Sequence, residues 1–456
     1  MSDYEVIIAG AGTAGCTAAY TLAKEGHSVL LLDRKERALI GKKTCGDALG
    51  YHHVNELKDL IGFPDIPDDL IEYQVSGMFL WAPDRKHKLR MEGPTTTGCS
   101  FNRLKLGQWM VSLAEKEGTE VRAETAAMDL VFDDDGRVDG LTIRGPDGVE
   151  TLHSEIVIDA TGAAAVLRRQ MPESSQIEKK IEKHDRMAAW RCVYKTPEYE
   201  FEEPDILHIY WNQDVTRGGY TWVFPQGEHR VNVGLGLMML PDYGNPRAIY
   251  QDWVPDNWEF METEKEVLDC SGGTAPVRRP IDTMVDDNFM LVGDAACQVN
   301  PVHGGGIGSS MLGGAHAGIT AARCLEEGDT SKENLWPYNI DYMESYGIKQ
   351  ASLDLFRWFL LNIENEDINY AFEKGIVKGE DLLEVSMTGK MQIGMGEKFK
   401  RLLSGFGRIP LLRKVNEIAN LMDDIKQLYR DYPEDPKNLQ TWKAKLKPIY
   451  EKAKVL

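Results

Sequence analysis

The chain of 456 residues has no apolar run approaching the roughly 18 residues that span a bilayer, so no membrane-crossing helix is expected. Its seven cysteines are scattered, odd in number and without a CxxC pair. That pattern suits neither a disulfide framework nor a zinc site, so no metal is expected, and the thiols read as mostly buried in a reducing compartment. Positive charge is scarce as well: 52 Lys and Arg face 72 Asp and Glu, a net charge of −20. The imbalance argues against nucleic acid and against purely electrostatic docking on an anionic membrane, while leaving room for a hydrophobic ligand or a basic protein partner. Met1-Ser2-Asp3-Tyr4-Glu5 enters an apolar strand at once and carries no signal-peptide pattern, so a cytoplasmic place is expected. There is no internal repeat and no low-complexity segment. What is present, 42% hydrophobic and 27% charged residues, is ordinary for a globular protein, and the length suggests about three domains.

The organising stretch is Val6-Ile7-Ile8-Ala9-Gly10-Ala11-Gly12-Thr13-Ala14-Gly15. A β-branched run reads as a buried parallel strand, breaks into Gly10, Gly12 and Gly15, and resumes at helical spacing through Ala18, Ala19, Leu22 and Ala23. Gly10 permits a tight turn, Gly12 removes the Cβ that would hold a pyrophosphate away, and Gly15 lets helix and strand approach. Phosphates then meet free N–H groups at a helix N-terminus, with Ala14 in its first turn. A second strand, Ser28–Leu32, ends at Asp33 and Arg34. A carboxylate at that distance from the glycines accepts hydrogen bonds from ribose hydroxyls.

Two more strand ends carry small residues: Ile156–Asp159 followed by Ala160-Thr161-Gly162, and Phe289–Val292 followed by Gly293-Asp294. The second leads through Asn300-Pro301-Val302-His303-Gly304-Gly305-Gly306-Ile307-Gly308 into a helix of small residues. In doubly wound sheets ligands sit at the carboxyl ends of the strands, so the three turns are expected to converge. There Asp294 is placed for a ribityl or ribose hydroxyl, and the N–H groups of Gly305, Gly306 and Ile307 for negative charge. From Val121 to Gly162 the chain reads as a β-meander with turns at Asp133–Gly136 and Gly145–Gly148. Residues 71–92 contain a hairpin. Residues 186–275 read as an antiparallel sheet with strands at Ala188–Tyr194, Ile206–Trp211, Gly219–Phe224 and Arg230–Leu237. Beyond about 331 the pattern is helical.

The spread of glycine turns, with Arg103 ahead of a helix, resembles the FAD-dependent oxidoreductases of the p-hydroxybenzoate hydroxylase-like fold. Within them, Tyr220-Thr221-Trp222-Val223-Phe224-Pro225 followed by Gly234-Leu235-Gly236, and Cys45-Gly46-Asp47, resemble the archaeal geranylgeranyl reductase family. The resemblance implies an α/β architecture: a Rossmann-like FAD-binding domain (1–70, 100–170 and 276–330), an inserted antiparallel β-sheet substrate domain (71–99 and 171–275) and a C-terminal helical region (331–456). It implies FAD, hydrogenation of isoprenoid C=C bonds, and FAD contacts at Gly10, Gly12, Ala14, Gly15, Asp33, Arg34, Cys45, Gly46, Arg103, Ala127, Gly162, Asp294, Gly305, Gly306 and Ile307. Asp33 replaces the family's more usual glutamate, and Ala48 stands where relatives often carry glycine. The substrate would be a geranylgeranyl lipid bound by Tyr220, Trp222, Phe224 and Pro225.

An isolated alkene has no polarised carbon, so its reduction needs a proton source opposite a hydride donor, and walls that tolerate positive charge. Cys45 is the expected catalytic proton donor, with His303 as a further candidate acid and Cys297 as a second thiol near the flavin, able to form a reversible Cys45–Cys297 disulfide. No second strand–glycine–helix unit exists for a nicotinamide, so electrons come from a carrier such as a ferredoxin or from NAD(P)H docking at the flavin. The segment 398–414 interleaves Lys398, Lys400, Arg401, Arg408, Arg413 and Lys414 with apolar residues, a pattern that fits peripheral contact with a lipid surface. Two other readings remain open: a flavin-dependent monooxygenase or halogenase, and a non-catalytic prenyl-lipid carrier.

Overall fold

The computed structural model describes residues 2–93, 96–227, 229–391 and 408–456. β1 (Tyr4–Ala9), α1 (Thr13–Lys24) and β2 (Val29–Leu32) form the expected unit, with Val6, Ile7 and Ile8 fully buried. Next come β3 (Ala48–Gly50), α2 (Tyr51–Ile61), β4 (Ile71–Val75), β5 (Gly77–Trp81), β6 (Lys88–Met91), β7 (Gly98–Phe101) and α3 (Arg103–Lys116). The strands β8 (Glu120–Arg122), β9 (Ala126–Phe132), β10 (Val138–Gly145) and β11 (Gly148–Asp159) follow. β1 pairs in parallel with β2 on one side and β11 on the other, Ala9 lying opposite both Leu32 and Asp159. β9, β10 and β11 are the antiparallel meander. The short strand at Val121 is not part of it: β8 pairs in parallel with β2, because the apolar Val121 extends the buried sheet beside Leu31.

The second sheet has seven strands, built from β12 (Arg186–Lys195), β13 (Ile206–Tyr210), β14 (Tyr220–Pro225), β15 (Arg230–Met238), then, beyond α4 (Pro246–Trp253), β16 (Glu266–Pro276). Their order is β16-β12-β15-β14-β13-β5-β6. It departs from the expected purely antiparallel sheet at one ladder, where β5 and β13 run parallel with Leu80 opposite Ile209. β4 belongs elsewhere, pairing with β7 in a three-stranded sheet with β3. β16 escaped the sequence pattern because Gly272 and Gly273 interrupt it; they sit there because the Trp190 ring and Thr44 pack against the backbone.

Cys192 of β12 and Cys270 of β16 face each other across the ladder and form a disulfide, which corrects the expectation of thiols alone. Cys16, Cys45, Cys99, Cys297 and Cys324 are free, so the proposed Cys45–Cys297 link is not made. Thiol titration of the denatured, unreduced protein should count five thiols, rising to seven after reduction. Seven before reduction would contradict the Cys192–Cys270 bond.

β17 (Val285–Asp286) and β18 (Phe289–Leu291) return the chain to the first sheet, where Leu291 lies opposite Asp159. The registers Ala9–Asp159 and Asp159–Leu291 bring the ends of β1, β11 and β18 side by side, and with them the three glycine turns. α5 (Ile307–Glu327) packs on α1 at backbone distance: a Cβ on Gly314 would lie 2.3 Å from the Ala14 carbonyl oxygen. The helices α6 (Lys332–Leu335), α7 (Pro337–Tyr342), α8 (Ile348–Leu361), α9 (Asn365–Glu373) and α10 (Gly379–Thr388) come next. They are followed by helices over Ile409–Arg430 and Leu439–Ala453. Of the suggested lipid-contacting segment, residues 398–407 lie outside the described residues. Arg408 pairs with Asp367 at 2.5 Å, and Leu411 is buried. No described helix is long and apolar enough to cross a membrane.

Candidate active site

A single cavity of about 900 Å³ runs from the glycine turns to the C-terminal helices. Gly10 has φ +114°, and a Cβ there would lie 2.3 Å from the Ala160 carbonyl oxygen, so the turn admits only glycine. Gly12 differs: a Cβ there would meet nothing within 4 Å, leaving an open cradle on the cavity wall. Asp33 sits at the rim, its carboxylate accepting the N–H groups of Ala11 at 3.1 Å and Lys35 at 2.9 Å. Arg34, Lys35, Lys42, Lys43 and Arg103 line this end, a local concentration of positive charge in an acidic protein. Arg103 is buried, yet its Nε and Nη1 have no hydrogen-bond partner. Desolvated guanidinium donors of this kind are costly unless something polar meets them.

The open Gly12 cradle, the carboxylate at the end of β2 and the orphaned Arg103 donors fit FAD. Gly46, Ala127, Gly162, Gly305, Gly306 and Ile307 also line the cavity. Three expected contacts do not reach its wall. Ala14 is buried against α5, Gly15 packs on the Gly10 carbonyl, and Pro225 is buried at the end of β14. Asp294 is on the wall, but its Oδ2 is paired with Lys43 Nζ at 2.9 Å. The Gly305 N–H is spent on His303 Nδ1 at 3.1 Å, so it is not free for a ligand.

Cys45 lies on the same wall, in the glycine- and lysine-bearing loop that leads through β3 into α2. Its Sγ accepts the Asp47 N–H at 3.2 Å, and Asp47 holds φ +61°. Asn232 Nδ2 donates to both the Cys45 carbonyl oxygen and Asp47 Oδ2, each at 2.9 Å, while its Oδ1 accepts from Trp222 Nε1 at 3.0 Å. Burial pushes the Cys45 thiol up, with the Asp47 charge adding to it. Burial also pushes the Asp47 carboxyl up to about 6, against the pull of Arg191 and Arg103, and its Oδ1 has no partner. Asp47 and Asn232 are the residues that sequence reading missed. Asp47 was visible beside Cys45, but nothing local marks Asn232, whose partner is 187 positions away.

Tyr220, Trp222 and Phe224 line the cavity from alternate positions of β14, and the Phe224 ring packs on Gly46, where a Cβ would lie 2.8 Å from Cε2. The Tyr220 hydroxyl donates to the His303 carbonyl oxygen at 2.5 Å. His303 is a poor acid here, because burial pushes its imidazolium pKa down to about 4 and the ring stays neutral. Cys297 is not beside the flavin groove. It is fully buried off the cavity, 3.8 Å from Arg168 Nη1, where Arg168 also ties the Ala295 carbonyl. Beyond Cys45 the lining turns apolar, with Met78, Leu80, Leu207 and Ile209 from the second sheet facing Leu353 and Phe356 of α8.

The family model described as an FAD binding domain matches residues 3–339. A digeranylgeranylglycerophospholipid reductase of Sulfolobus acidocaldarius is 37% identical over 97% of this chain and 96% of its own. A second reductase of that name from Methanopyrus kandleri is 30% identical over 84% of this chain and 95% of its own. Among solved structures, a geranylgeranyl bacteriochlorophyll reductase-like protein from Thermoplasma acidophilum superposes with a TM-score of 0.75, at 21% identity, over 91% of this chain and 99% of that one. The fold, the flavin cradle and the near full-length identity agree: the chain belongs to the FAD-dependent digeranylgeranylglycerophospholipid reductase family.

Proposed function

We propose that this protein hydrogenates the C=C bonds of geranylgeranyl chains carried on archaeal glycerophospholipid precursors. One observation carries the reading: the cavity that begins at the Gly12 cradle passes Cys45 and continues into an apolar chamber suited to an isoprenoid chain. FAD, when bound and reduced, supplies the hydride. Gly10, Gly12, Asp33, Arg103 and the N-terminus of α5 would hold the cofactor.

The protein's own part is the proton and the surroundings of the alkene. Cys45 is the donor. Its raised pKa keeps it a thiol at neutral pH, so Sγ holds the proton that the alkene must receive. Proton transfer places positive character on the more substituted carbon. The faces of Tyr220, Trp222 and Phe224 stabilise that charge by about 0.5–2 kcal/mol each where the geometry suits. Asn232 is a positioning residue, fixing the Cys45–Asp47 turn against β14. Apolar walls exclude water, which would otherwise trap the cation as an alcohol. Electrons reach the flavin from a small carrier such as a ferredoxin or from NAD(P)H, and the protein works as a peripheral partner of the membrane that holds its lipid.

Anaerobic incubation of chemically reduced holoenzyme with a geranylgeranyl lipid should give products heavier by two hydrogens per reduced bond. Product that forms only with oxygen would assign the site to monooxygenation or halogenation instead.

A further inference from the structure

The C-terminal helices contribute Tyr346, Leu353, Phe356, Leu382, Val385 and Met387 to the cavity, with one charged side chain among them, Lys349. Tyr346, Lys349, Leu353 and Phe356 follow one another at helical spacing along the π-helical turn Met343–Gly347 and α8. They form a stripe that turns from polar at Lys349 to apolar at Phe356, about 10 Å further along the axis. Lys349 Nζ stands 4.4 Å from the Tyr346 ring centroid, and among the described residues it has no ion pair or hydrogen bond. Glu56 attracts it from a distance, and burial pushes it down to about 8. His52 and His53 of α2 share this part of the lining, their ring centroids 4.0 Å apart. Both Nδ1 atoms are buried without a partner. His303 completes the set of titratable neighbours. All three imidazoles are pushed down by burial and by Lys349, so they face the cavity as neutral rings. The remaining charged lining residues (Asp33, Arg34, Lys35, Lys42, Lys43, Asp47, Arg103 and Asp294) belong to the flavin end and the Cys45 turn.

A half-buried ammonium with no carboxylate in ion-pair contact among the described residues, near two unsatisfied imidazole nitrogens, is what an anion-binding pocket requires before its ligand arrives. Its place at the head of an apolar stripe says which anion. We propose that Lys349, flanked by His52 and His53, receives the phosphate of the prenyl substrate's head group, with the isoprenoid chain laid along Leu353 and Phe356. The inference rests on the prenyl-lipid function proposed above and adds the recognition of its charged end. By holding that end, Lys349 sets which double bond comes to lie beside Cys45.

The test compares geranylgeranyl diphosphate with geranylgeraniol, which has the same chain and no charge, on reduced holoenzyme of the wild type, Lys349→Gln and Lys349→Arg. Lys349→Gln should raise KM for the diphosphate about tenfold more than KM for the alcohol, and Lys349→Arg should recover most of the difference. Calorimetry on the oxidised holoenzyme should show the diphosphate binding more weakly to Lys349→Gln by a similar factor. Equal shifts for both probes would overturn the head-group site while leaving the reductase reading in place. Inorganic pyrophosphate binding to the wild type as tightly as geranylgeranyl diphosphate would assign the pocket to free phosphate and overturn it too. Failure of the wild type to reduce either probe would sink the reductase reading, and the head-group site with it.

Discussion

Replacing Cys45 by Ala is expected to lower the rate of lipid reduction by about 10²–10⁴-fold while FAD remains bound, the usual range for loss of a positioned proton donor. The separation follows from the geometry. The Cys45 backbone is held by Asn232 through its carbonyl oxygen, a contact the substitution leaves intact, and the flavin end is built from other residues. Only Sγ is lost. Flavin absorbance of the purified variant checks cofactor retention, and lipid turnover checks the donor; near wild-type turnover would remove Cys45 from the chemistry. Asp47 gives an independent handle on the same thiol. Above about 6 its carboxyl is ionised and disfavours the neighbouring thiolate. Asp47→Asn removes that charge, so Cys45 should ionise more readily and react faster with iodoacetamide at a fixed pH near 8. Peptide mass spectrometry reads the modification at Cys45, and an unchanged rate would show that the two groups are not coupled.

The second large effect separates two glycines only two positions apart. Gly12→Ala should fold normally without FAD, because its methyl meets nothing within 4 Å. It should nevertheless weaken FAD binding about a hundredfold or more, since that open volume is where the pyrophosphate approaches the backbone. Gly10→Ala should instead destabilise the protein itself by about 2–5 kcal/mol, combining an unfavourable backbone region with overpacking. Its methyl would press on the Ala160 carbonyl oxygen at φ +114°. Thermal unfolding of the apoproteins and FAD titration distinguish the two. An apo Gly12→Ala protein as unstable as Gly10→Ala would mean that Gly12 serves packing and not the cofactor.

These contrasts mark where the sequence was legible. The β1–α1–β2 unit could be read because its signals are local: a buried apolar run, three glycines and an acid at the next strand end. The convergence of three turns could be read because strand ends in a parallel sheet face one way. β16 could not, since its Gly272 and Gly273 answer to Trp190 and Thr44, far off in the chain. The parallel pairing of β5 with β13 and the Cys192–Cys270 bond were hidden for the same reason, depending on register between segments distant in sequence. In the site, Cys45 and the β14 aromatics stood in recognisable motifs. Asn232 and Lys349 did not, because an asparagine in a strand and a lysine in a helix acquire meaning only from what the fold sets opposite them. Ala14, Gly15 and Pro225 fell short of the cavity because they pack the framework that carries it.

The proposed reduction requires one chamber to bring a flavin and a prenyl chain together, which a single anaerobic turnover checks. Holoenzyme bleached by one equivalent of dithionite and mixed with a geranylgeranyl lipid should regain its oxidised flavin absorbance as saturated product appears, at matching rates and in matching amounts. Flavin that stays bleached in the presence of the lipid, or recovers only when air is admitted, would contradict it.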